Sequence, residues 1–402
     1  MAKPVAPLVL KSCPKAYIHD THRSKTPDET LRFIQETKEL VGMEDLTDAT
    51  GADRIGIPVF TCGRSRPDGS MTSHTGKGAS KTQAQVSLMM ESIERYSSEF
   101  REEYLPKLIR GSFRDLKEKH LALDPRELIL PQFTENPTDI ETHWIRGLDL
   151  PSNREILVPA CAVYHPFHLD DGAFMSTHTN GLASGNTTEE AVFHALTEVI
   201  ERDAWSIAKF NDSMDEAISI EDRPGCGFLL DLVEKFERAS IEVSARDITT
   251  DIGVPVMAAF SHDTQYPAMM TFDGFGAHLD PRVALGRALM EVAATRGLFI
   301  QKHGIEGLQE SSRYFDQREG SLDSRFYAGS RKSLHSVESS YSDDILTDIV
   351  DIRTKLRQKG FERIIVVDLT RSDANIPTVR VIVPGMEVFC FDKTRRGDRL
   401  YR

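Results

Sequence analysis

Residues 76–96 read GKGASKTQAQVSLMMESIERY and join a glycine-rich loop to an amphipathic helix. The same order returns at residues 180–205, NGLASGNTTEEAVFHALTEVIERDAW, and both segments carry the pattern E-x-x-E-R. At roughly 100° per residue, the polar side chains of the first helix share one face and its apolar side chains share the opposite one. This repetition predicts two similar units that face each other across one site.

The rest of the chain alternates helical and strand-like patterns. Helices are predicted at residues 28–41, 80–104, 188–209, 229–238, 280–302 and 345–359. The clearest strands, rich in Val, Ile or small apolar residues, are predicted at Glu155–Tyr164, Pro255–Phe260, Arg363–Leu369 and Val379–Val383. The pattern indicates a mixed α/β protein.

Composition sets broad limits on function. The 402 residues are 40% hydrophobic and 28% charged, which is typical of a folded chain with a large core in one or two domains. No stretch approaches the roughly 18 to 20 apolar residues that span a bilayer, and the N-terminus lacks a signal-peptide pattern, so we expect a soluble, cytoplasmic protein. The formal net charge of −13 disfavours binding to nucleic acid or to anionic membranes.

The cysteines and histidines show no metal or disulfide spacing. The five cysteines form no C-x-x-C pair, and the histidines show no H-x-x-x-H pattern, so neither a disulfide framework nor a zinc site is predicted. A catalytic cysteine stays an alternative without support from its local sequence.

The helix predicted near residues 283–300 gives the strongest local argument for a polar site. It is almost entirely Ala, Leu, Val, Met and Gly, with Arg287, Glu291 and Arg296 as its ionisable residues. Such a helix is expected to be buried, and buried charges cost several kcal/mol each unless partners are supplied. Two alternatives remain open: a structural Arg287–Glu291 pair, or a polar cavity filled by a ligand.

The helix near residues 188–209 also carries clustered acids. Glu190, Glu198 and Glu201 share its polar arc with Trp205, a large side chain that is unexpected on a solvated face. Clustered carboxylates repel one another unless a cation joins them, and hard oxygen ligands suit Mg²⁺. The alternative is that these faces are solvated, with Glu91 and Arg95 as an ordinary i, i+4 surface pair. His194 receives no role.

The glycine-rich loops point toward phosphate. The segment Gly76-Lys77-Gly78 can bring backbone N–H groups and one positive charge to an anion at a helix N-terminus, and residues 181–186 can do the same. A Walker A sequence is absent, and such loops also occur before helices with no ligand.

Several linked motifs resemble the YcaO family in order and spacing. They are RSKTPDET at residues 23–30, TGADRIGIPV from Thr50, the two glycine-rich segments quoted above, ALTEVIERDA from Ala195 and RALME from Arg287. The resemblance spans nearly the whole chain. It implies an α/β fold with mixed sheets flanked by helices, no P-loop, and an ATP site between helices of two similar units of the fold.

The resemblance also implies roles for individual residues. The residues similar to carboxylates around Mg²⁺ are Glu91, Glu94, Glu198, Glu201 and Glu291. The residues similar to nucleotide contacts are Arg23, Thr30, Lys77, Ser87, Asn186, Glu190, Arg202 and Arg287. The residues expected to be catalytic are Glu91, Glu201, Arg287 and Glu291.

The activity implied by the resemblance is an ATP-dependent activation of a peptide amide oxygen, followed by its replacement. Azoline-forming members typically end in P-x-P-x-P and act with a peptide-docking domain, whereas this chain ends FDKTRRGDRLYR. It is more similar to standalone archaeal members that install a thioamide in a glycine of the methyl-coenzyme M reductase alpha subunit. Peptide thioamidation is therefore expected, with azoline cyclodehydration and a noncatalytic nucleotide-binding scaffold as alternatives.

The expected organisation and partners follow from the same resemblance. We expect an N-terminal extension at residues 1–20 and a single catalytic unit at residues 21–395, with about 50–210 and 211–395 as subdomains. ATP and Mg²⁺ are the expected cofactors. A peptide or protein substrate, sulfide or a sulfur-delivery protein, and a second copy of the chain in a homodimer are the expected partners.

Overall fold

The computed structural model describes residues 8–66, 69–169, 174–214, 216–266, 271–311 and 331–402. The chain forms two compact units. The first unit comprises Met1–Pro14, Ile93–Asp212 and Ser342–Arg402, and the second comprises Lys15–Ser92 and Ser213–Tyr341. Each unit is assembled from segments far apart in the sequence. The extension at residues 1–20 and the subdomains at about 50–210 and 211–395 stay predictions.

The described helices agree closely with the sequence pattern. They are α1 Pro27–Ile34, α2 Lys81–Ser98, α3 Phe113–Leu116, α4 Thr188–Asn211, α5 Gly227–Arg238, α6 Pro281–Ser311 and α7 Ile345–Gln358. The backbone of α6 is interrupted at Gly304, which has φ 68° and ψ 175°.

The described strands are more numerous than those predicted. They are β1 Tyr17–Ile18, β2 His22–Arg23, β3 Met43–Asp48, β4 Val59–Ser65, β5 Met71–Lys77, β6 Ile109–Gly111, β7 Thr142–Asp149, β8 Arg154–Pro159, β9 Leu182–Ser184, β10 Ala217–Ser219, β11 Ile241–Asp247, β12 Val256–Asp263, β13 Phe272–Ala277, β14 Arg331–Ser333, β15 Ile365–Asp368 and β16 Thr378–Ile382. The four predicted strands correspond to β8, β12, β15 and β16, although the first ends at Pro159 instead of Tyr164.

Two predicted helices end earlier than expected, and local contacts explain one of these ends. Helix α1 begins with a capping box between Thr26 and Glu29 but stops at Ile34, followed by a short 3-10 turn. Helix α2 stops at Ser98, because the Ser98 carbonyl accepts a hydrogen bond from the backbone N–H of His165 at 3.0 Å. This tertiary hydrogen bond takes the place of the one that the Ser98 carbonyl would accept if the helix continued.

The first unit is built on an antiparallel sheet with the order β6-β7-β15-β16-β9, with β8 also paired to β7. Helix α4 packs on β16 and β9, and α7 packs on α4. Apolar side chains from β7, β8, β15 and β16 form the core beneath, including fully buried Ile156, Val158 and Ile365. The second of the two sequence repeats therefore forms β9, at one edge of this sheet, and α4, which packs on the sheet.

The second unit contains a five-stranded sheet with the order β13-β12-β11-β10-β14, which is parallel only between β10 and β14. Helix α6 packs on β13 and β12, and α5 packs on α6 and β11. Leu229, Phe236, Met257 and Leu289 lie in the core between them. A three-stranded sheet, β3-β4-β5, and the β1-β2 hairpin complete the unit.

Glycines allow strands of the second unit to lie directly against the helix that follows. A Cβ added at Gly76 of β5 would lie 2.1 Å from the carbonyl oxygen of Ala84 in α2, and one at Gly276 of β13 would lie 2.2 Å from that of Ala284 in α6. The sequence placed Gly76 in a phosphate-binding loop. It lies instead in a strand, paired with Phe60, where close packing accounts for the missing side chain.

The predicted burial of the third helix is confirmed, but its most buried charge is Arg296 and not Arg287 or Glu291. Arg296 is 1% exposed. Its guanidinium lies 2.8 Å from Asp53 and 2.8 Å from Asp263. The TGADR segment therefore has a structural use, because it supplies the carboxylate that compensates this buried cation.

Within the described ranges, none of the helices is long and apolar enough to cross a membrane.

Candidate functional site

Helix α4 of the first unit carries a cluster of acids and bases on one face. Glu198 and Glu201 lie one turn apart, and Arg202 approaches both, with 3.9 Å from its Nε to Oε1 of Glu198 and 3.5 Å from its Nη2 to Oε1 of Glu201. On α2, Nη1 of Arg95 lies 3.1 Å from Oε1 of Glu94. We refer to Glu94, Arg95, Glu198, Glu201 and Arg202 as the α4 cluster.

The electrostatics of the α4 cluster favour a bound cation. Burial raises the pKa of Glu198, the charge of Arg202 lowers it, and the negative charge of Glu201 raises it again. Glu201 itself is only 2% exposed. The oxygens of two neighbouring carboxylates, one buried and one half-buried, suit a hard divalent ion such as Mg²⁺, so the residues present fit that metal.

Arg380, which the sequence analysis missed, lies beside the α4 cluster. It is 2% exposed and projects from β16, and its charge interacts with those of Glu198 and Glu94. Burial lowers the pKa of Arg380 to about 10. The sequence contains a clue to this site, namely one Arg inside the apolar strand TVRVI. A buried apolar strand is otherwise expected to contain only uncharged side chains, so its Arg points to a polar partner.

The face of α4 that carries Trp205 is covered by protein, as its sequence suggested. The guanidinium of Arg202 lies 5.1 Å from the ring centre of Trp205 and 5.4 Å from that of Phe391. Phe391 stacks in turn on His178, with ring centres 5.9 Å apart. These aromatic rings fix the position of Arg202 through cation–π contacts, so the segment around Phe391 belongs to the surroundings of the cluster.

The turn before α4 brings together two predicted nucleotide contacts. The side-chain amide of Asn186 donates to the carboxylate of Glu190, at 3.0 Å to Oε1 and 3.2 Å to Oε2. Both side chains are buried, and the amide oxygen of Asn186 has no hydrogen-bond partner among the described residues. Thr187 caps the helix by accepting from the Glu190 N–H. An amide oxygen left open at a helix start is compatible with a ligand there.

The second unit has its own pair of predicted site residues. Nζ of Lys77, at the end of β5, lies 3.3 Å from Oε2 of Glu291 in α6. Both side chains are partly exposed, at 32% and 26% respectively. Arg287 lies one turn before Glu291 on the same helix and is also half-buried. Arg287 and Glu291 are therefore partly exposed on a helix that is otherwise buried, and this differs from the first of the two alternatives, a fully buried Arg287–Glu291 pair.

Glu91 occupies the part of α2 that belongs to the second unit. Its Oε1 lies 3.4 Å from Nδ1 of His74, and the other ring nitrogen of His74 lies 2.9 Å from the Thr72 hydroxyl. His74 was not considered in the sequence analysis, because nothing in the sequence placed β5 against this face of α2. Ser87 lies one turn before Glu91 and is half-buried.

The N-terminal motif has structural contacts of its own. Nη1 of Arg23 donates to the carbonyl oxygen of His22 at 2.8 Å. The hydroxyl of Thr30 donates to the Thr26 carbonyl inside α1 at 3.0 Å, and Thr30 is 3% exposed. The nucleotide-binding roles of Arg23 and Thr30 therefore stay predictions, and the structure gives Thr30 a partner within its own helix.

A preformed metal site is not seen in the part of the chain that the structure describes, where no three or more His, Cys, Asp or Glu side chains are arranged to hold an ion. The α4 cluster contributes Glu94, Glu198 and Glu201, while Glu91 and Glu291 lie in the second unit. The complete set of five glutamates as metal ligands stays a prediction.

The fold and these residues define a mixed α/β protein that carries carboxylates suited to a hard metal beside guanidinium groups suited to phosphate. Residues 75–387 match the family described as YcaO cyclodehydratase, ATP- and Mg²⁺-binding. An uncharacterized protein of Methanothermobacter thermautotrophicus is 38% identical over 395 residues, which cover 93% of this chain and 97% of that protein. The chain belongs to the YcaO family.

Two solved structures are similar over nearly all of this chain. The structure of YcaO from Methanopyrus kandleri bound with AMPPCP and Mg²⁺ has a TM-score of 0.78 and 30% identity, covering 96% of this chain and 98% of that one. A heterocyclase in complex with substrate and cofactor has a TM-score of 0.83 and 25% identity, covering 98% of this chain and 56% of that one. The predicted family, the mixed α/β fold and the cofactors ATP and Mg²⁺ are thereby confirmed.

Proposed function

We propose that this protein uses ATP to activate a peptide backbone amide and then replaces the amide oxygen with sulfur. The proposed product is a thioglycine in the methyl-coenzyme M reductase alpha subunit, formed in the cytoplasm. The sulfur comes from sulfide or from a sulfur-delivery protein. A homodimer is part of the same proposal.

The observation that carries the proposal is the α4 cluster with Arg380. A peptide oxygen is a poor leaving group until it is phosphorylated, so an enzyme for this reaction needs to bind metal and phosphate together. Glu198 and Glu201 supply a half-buried and a buried carboxylate, and Arg202 and Arg380 supply the neighbouring positive charge. Carboxylates suited to a cation and guanidinium groups suited to phosphate are both present.

Each residue has a proposed role. Glu94, Glu198 and Glu201 hold Mg²⁺, which when bound neutralises charge on the phosphate oxygens. Arg202 binds phosphate, and Trp205 and Phe391 keep its guanidinium in place. Glu91 and Glu291 are further proposed metal ligands. The further proposed nucleotide contacts are Arg23, Thr30, Lys77, Ser87, Asn186, Glu190 and Arg287. The proposed catalytic residues are Glu91, Glu201, Arg287 and Glu291.

The choice of thioamidation is supported by the relatives that match along their whole length. This chain covers 97% of the Methanothermobacter protein and 98% of the Methanopyrus YcaO, and both organisms are methanogenic archaea. It covers only 56% of the heterocyclase chain. Proteins of Mycobacterium tuberculosis and Rhizobium leguminosarum also match 92% and 93% of this chain, so the proposal rests on the higher identity of the Methanothermobacter protein and not on a distribution restricted to methanogens.

Azoline-forming cyclodehydration is the second candidate. It is favoured by the family description as a cyclodehydratase and by the TM-score of 0.83 with the heterocyclase. The two reactions share amide activation and differ in the nucleophile, which is sulfide in one and a neighbouring Cys, Ser or Thr side chain in the other. Their products differ in mass, because one exchanges oxygen for sulfur and the other loses water.

The test is an incubation of purified protein with Mg-ATP, sulfide and a glycine-containing peptide from methyl-coenzyme M reductase whose glycine carbonyl carries a heavy-oxygen label. We expect a peptide heavier by the difference between sulfur and oxygen, and the label in phosphate. Both signals should disappear in Glu91→Gln and Glu291→Gln and persist in Glu237→Gln, a matched change on the exposed side of α5. Loss of water from the peptide would favour cyclodehydration, and ATP binding without turnover would favour a scaffold.

A further inference from the structure

A small cavity in the first unit lies beside the α4 cluster. It measures about 50 Å³, and its walls include Met175, Val199, Met386 and Val388, with Arg380 and other polar residues at its edge. A water molecule needs roughly 10 to 15 Å³ by this measure, so the cavity has space for about three to five atoms of that size. A peptide or nucleotide is too large for it, whereas a small ion fits.

Two residues that line this cavity each carry a buried polar atom with no hydrogen-bond partner among the described residues. These atoms are Nε of Arg380 and the side-chain oxygen of Asn180, whose residues are 2% and 6% exposed. The other nitrogens of Arg380 are occupied, since Nη1 donates to the His178 carbonyl at 2.9 Å and Nη2 lies 3.3 Å from Nδ1 of His178. An unfilled buried donor is costly, so Nε indicates a ligand that accepts a hydrogen bond.

The charge of the cavity wall is positive. Arg380 and Arg395 both line it and are 2% and 3% exposed, and of the described residues that line it none is Asp or Glu. Acidic charges that act on these cations come from residues outside the lining, Glu198 and Glu94 for Arg380 and Asp392 and Glu387 for Arg395. Burial and then the charge of Arg380 lower the pKa of His178, so that ring is neutral. Two cations in a wall whose other described side chains are neutral attract an anion of low hydration.

The cavity and the α4 cluster share structural elements. Arg380 contributes to the cavity wall and interacts electrostatically with Glu198. Val199, the residue after Glu198 on α4, also lines the cavity. A ligand in the cavity therefore lies next to the groups to which the proposed function assigns metal and phosphate.

We propose that this cavity binds a small monovalent anion and that, during the thioamidation proposed above, the anion is the hydrosulfide nucleophile. The thioether side chains of Met175 and Met386 offer a polarizable wall that suits sulfur. The hydrosulfide assignment rests on the proposed function, whereas the anion site itself rests only on the cavity and its charges.

The chemical step balances without an oxidant or a reductant. The sulfur of hydrosulfide donates an electron pair to the carbon of the O-phosphorylated amide, and a C–S bond forms. The C–O bond then breaks and phosphate leaves with its electron pair. The hydrogen of hydrosulfide ends on the amide nitrogen, which leaves a C=S group bonded to N–H. Storage of hydrosulfide between two guanidinium groups keeps it deprotonated and available.

The anion site is tested with bromide as a probe. Crystals of the full chain soaked in bromide should show anomalous scattering in the cavity, and Asn180→Asp should abolish it, because the isosteric change adds a negative charge to the wall. Asn211→Asp adds the same charge at the exposed end of α4 and should leave bromide in place. Ala162→Val, which fills the cavity, provides a second variant in case Asn180→Asp does not fold. A wild-type cavity without bromide would overturn the proposal.

The hydrosulfide assignment is tested by kinetics on the same variants. The KM for sulfide should rise at least tenfold in Asn180→Asp and in Ala162→Val, with the KM for ATP changed less than twofold. A sulfide KM equal to that of the wild type in both variants would overturn the assignment. If no thioamide forms with any protein, the proposed function fails, and displacement of bromide by hydrosulfide in the soaked crystal then decides the site separately.

Discussion

Arg399 binds the carboxylate of Asp203 through two nitrogens, at 2.9 Å from Nε to Oδ1 and 2.8 Å from Nη2 to Oδ2, and both side chains are buried. The same carboxylate accepts the backbone N–H of Glu387 at 2.9 Å. Asp203 follows Arg202 on α4, so this ion pair joins the C-terminal segment to the helix that carries the α4 cluster.

Removal of one partner of this pair should be strongly destabilising. Arg399→Ala leaves the fully buried Asp203 carboxylate without its cation, so we expect a loss of about 3–5 kcal/mol in the free energy of unfolding. Urea denaturation checks this value. Arg238→Ala breaks an exposed pair with Glu234 and should cost less than about 1 kcal/mol. Equal losses in the two variants would contradict the assigned importance of the buried pair.

Phe391 is expected to support ATP use through Arg202. Phe391→Ala removes one of two aromatic rings that contact the guanidinium, and a cation–π contact contributes about 0.5–1 kcal/mol. The KM for ATP should therefore rise about twofold to fivefold in ATPase assays, since 1.4 kcal/mol corresponds to about tenfold. Phe391→Trp keeps an aromatic ring and should restore the wild-type value. Failure of Trp to do so would indicate a packing role only.

The contact between β13 and α6 predicts opposite effects for two glycines. Gly276→Ala places a methyl group 2.2 Å from the Ala284 carbonyl and should destabilise the protein by about 1–3 kcal/mol. Gly297→Ala, within α6 itself, meets no atom within 4 Å and should stabilise the protein by about 0.5–1 kcal/mol, because alanine favours helix. Thermal unfolding of both variants checks the signs. Destabilisation by Gly297→Ala would mean that α6 is packed more tightly there than described.

Buried His22 predicts a loss of stability in mild acid. It is 2% exposed, and burial, followed by the charge of Lys15, lowers the pKa of His22 to about 3. In the unfolded chain the group titrates near about 6.5. Between these values the unfolded state binds a proton that the folded state does not, so this stabilising contribution is intact above about pH 6.5 and is lost as the pH falls toward about 3.

The change to test this is His22→Gln, which removes the titrating group. The slope of unfolding free energy against pH between about 6.5 and 4 should decrease by up to about 1.4 kcal/mol per pH unit. The matched control is His19→Gln, because the His19 side chain is 66% exposed. Unchanged slopes in both variants would show that His22 is protonated in the folded protein.

The sequence predicted the elements of the site better than their contacts. The starts of helices α2, α4 and α6 were located within one residue, because their apolar and polar residues recur at the helical period, whereas the ends of α2 and α6 were missed by six and nine residues. The Trp205 side chain on a polar face indicated that protein or ligand covers that face, and Phe391 is the protein side chain found beside Trp205 and Arg202. Arg287 and Glu291 were predicted to be buried, and the structure leaves both partly exposed.

The contacts that define the surroundings of the site depend on strand pairing, which periodicity does not reveal. Arg380 faces Glu198 only because β16 pairs with β15 and β9 under α4. Gly76 looked like part of a phosphate loop until its pairing with Phe60 placed it in a strand. In both cases a residue distant in sequence decides the environment.

The sequence by itself determined the mixed α/β class and the three helices that carry the acids, since these follow from local periodicity. Its linked motifs determined the family, and the resemblance to that family in turn implied the cofactors. The tertiary structure alone decided which charges are compensated. Asp53 and Asp263 compensate Arg296, Arg399 compensates Asp203, and no Asp or Glu is among the described residues that line the cavity beside Arg380. The physical reason is that the energy of a charge depends on burial and on neighbours from remote segments, and only the folded chain brings those segments together.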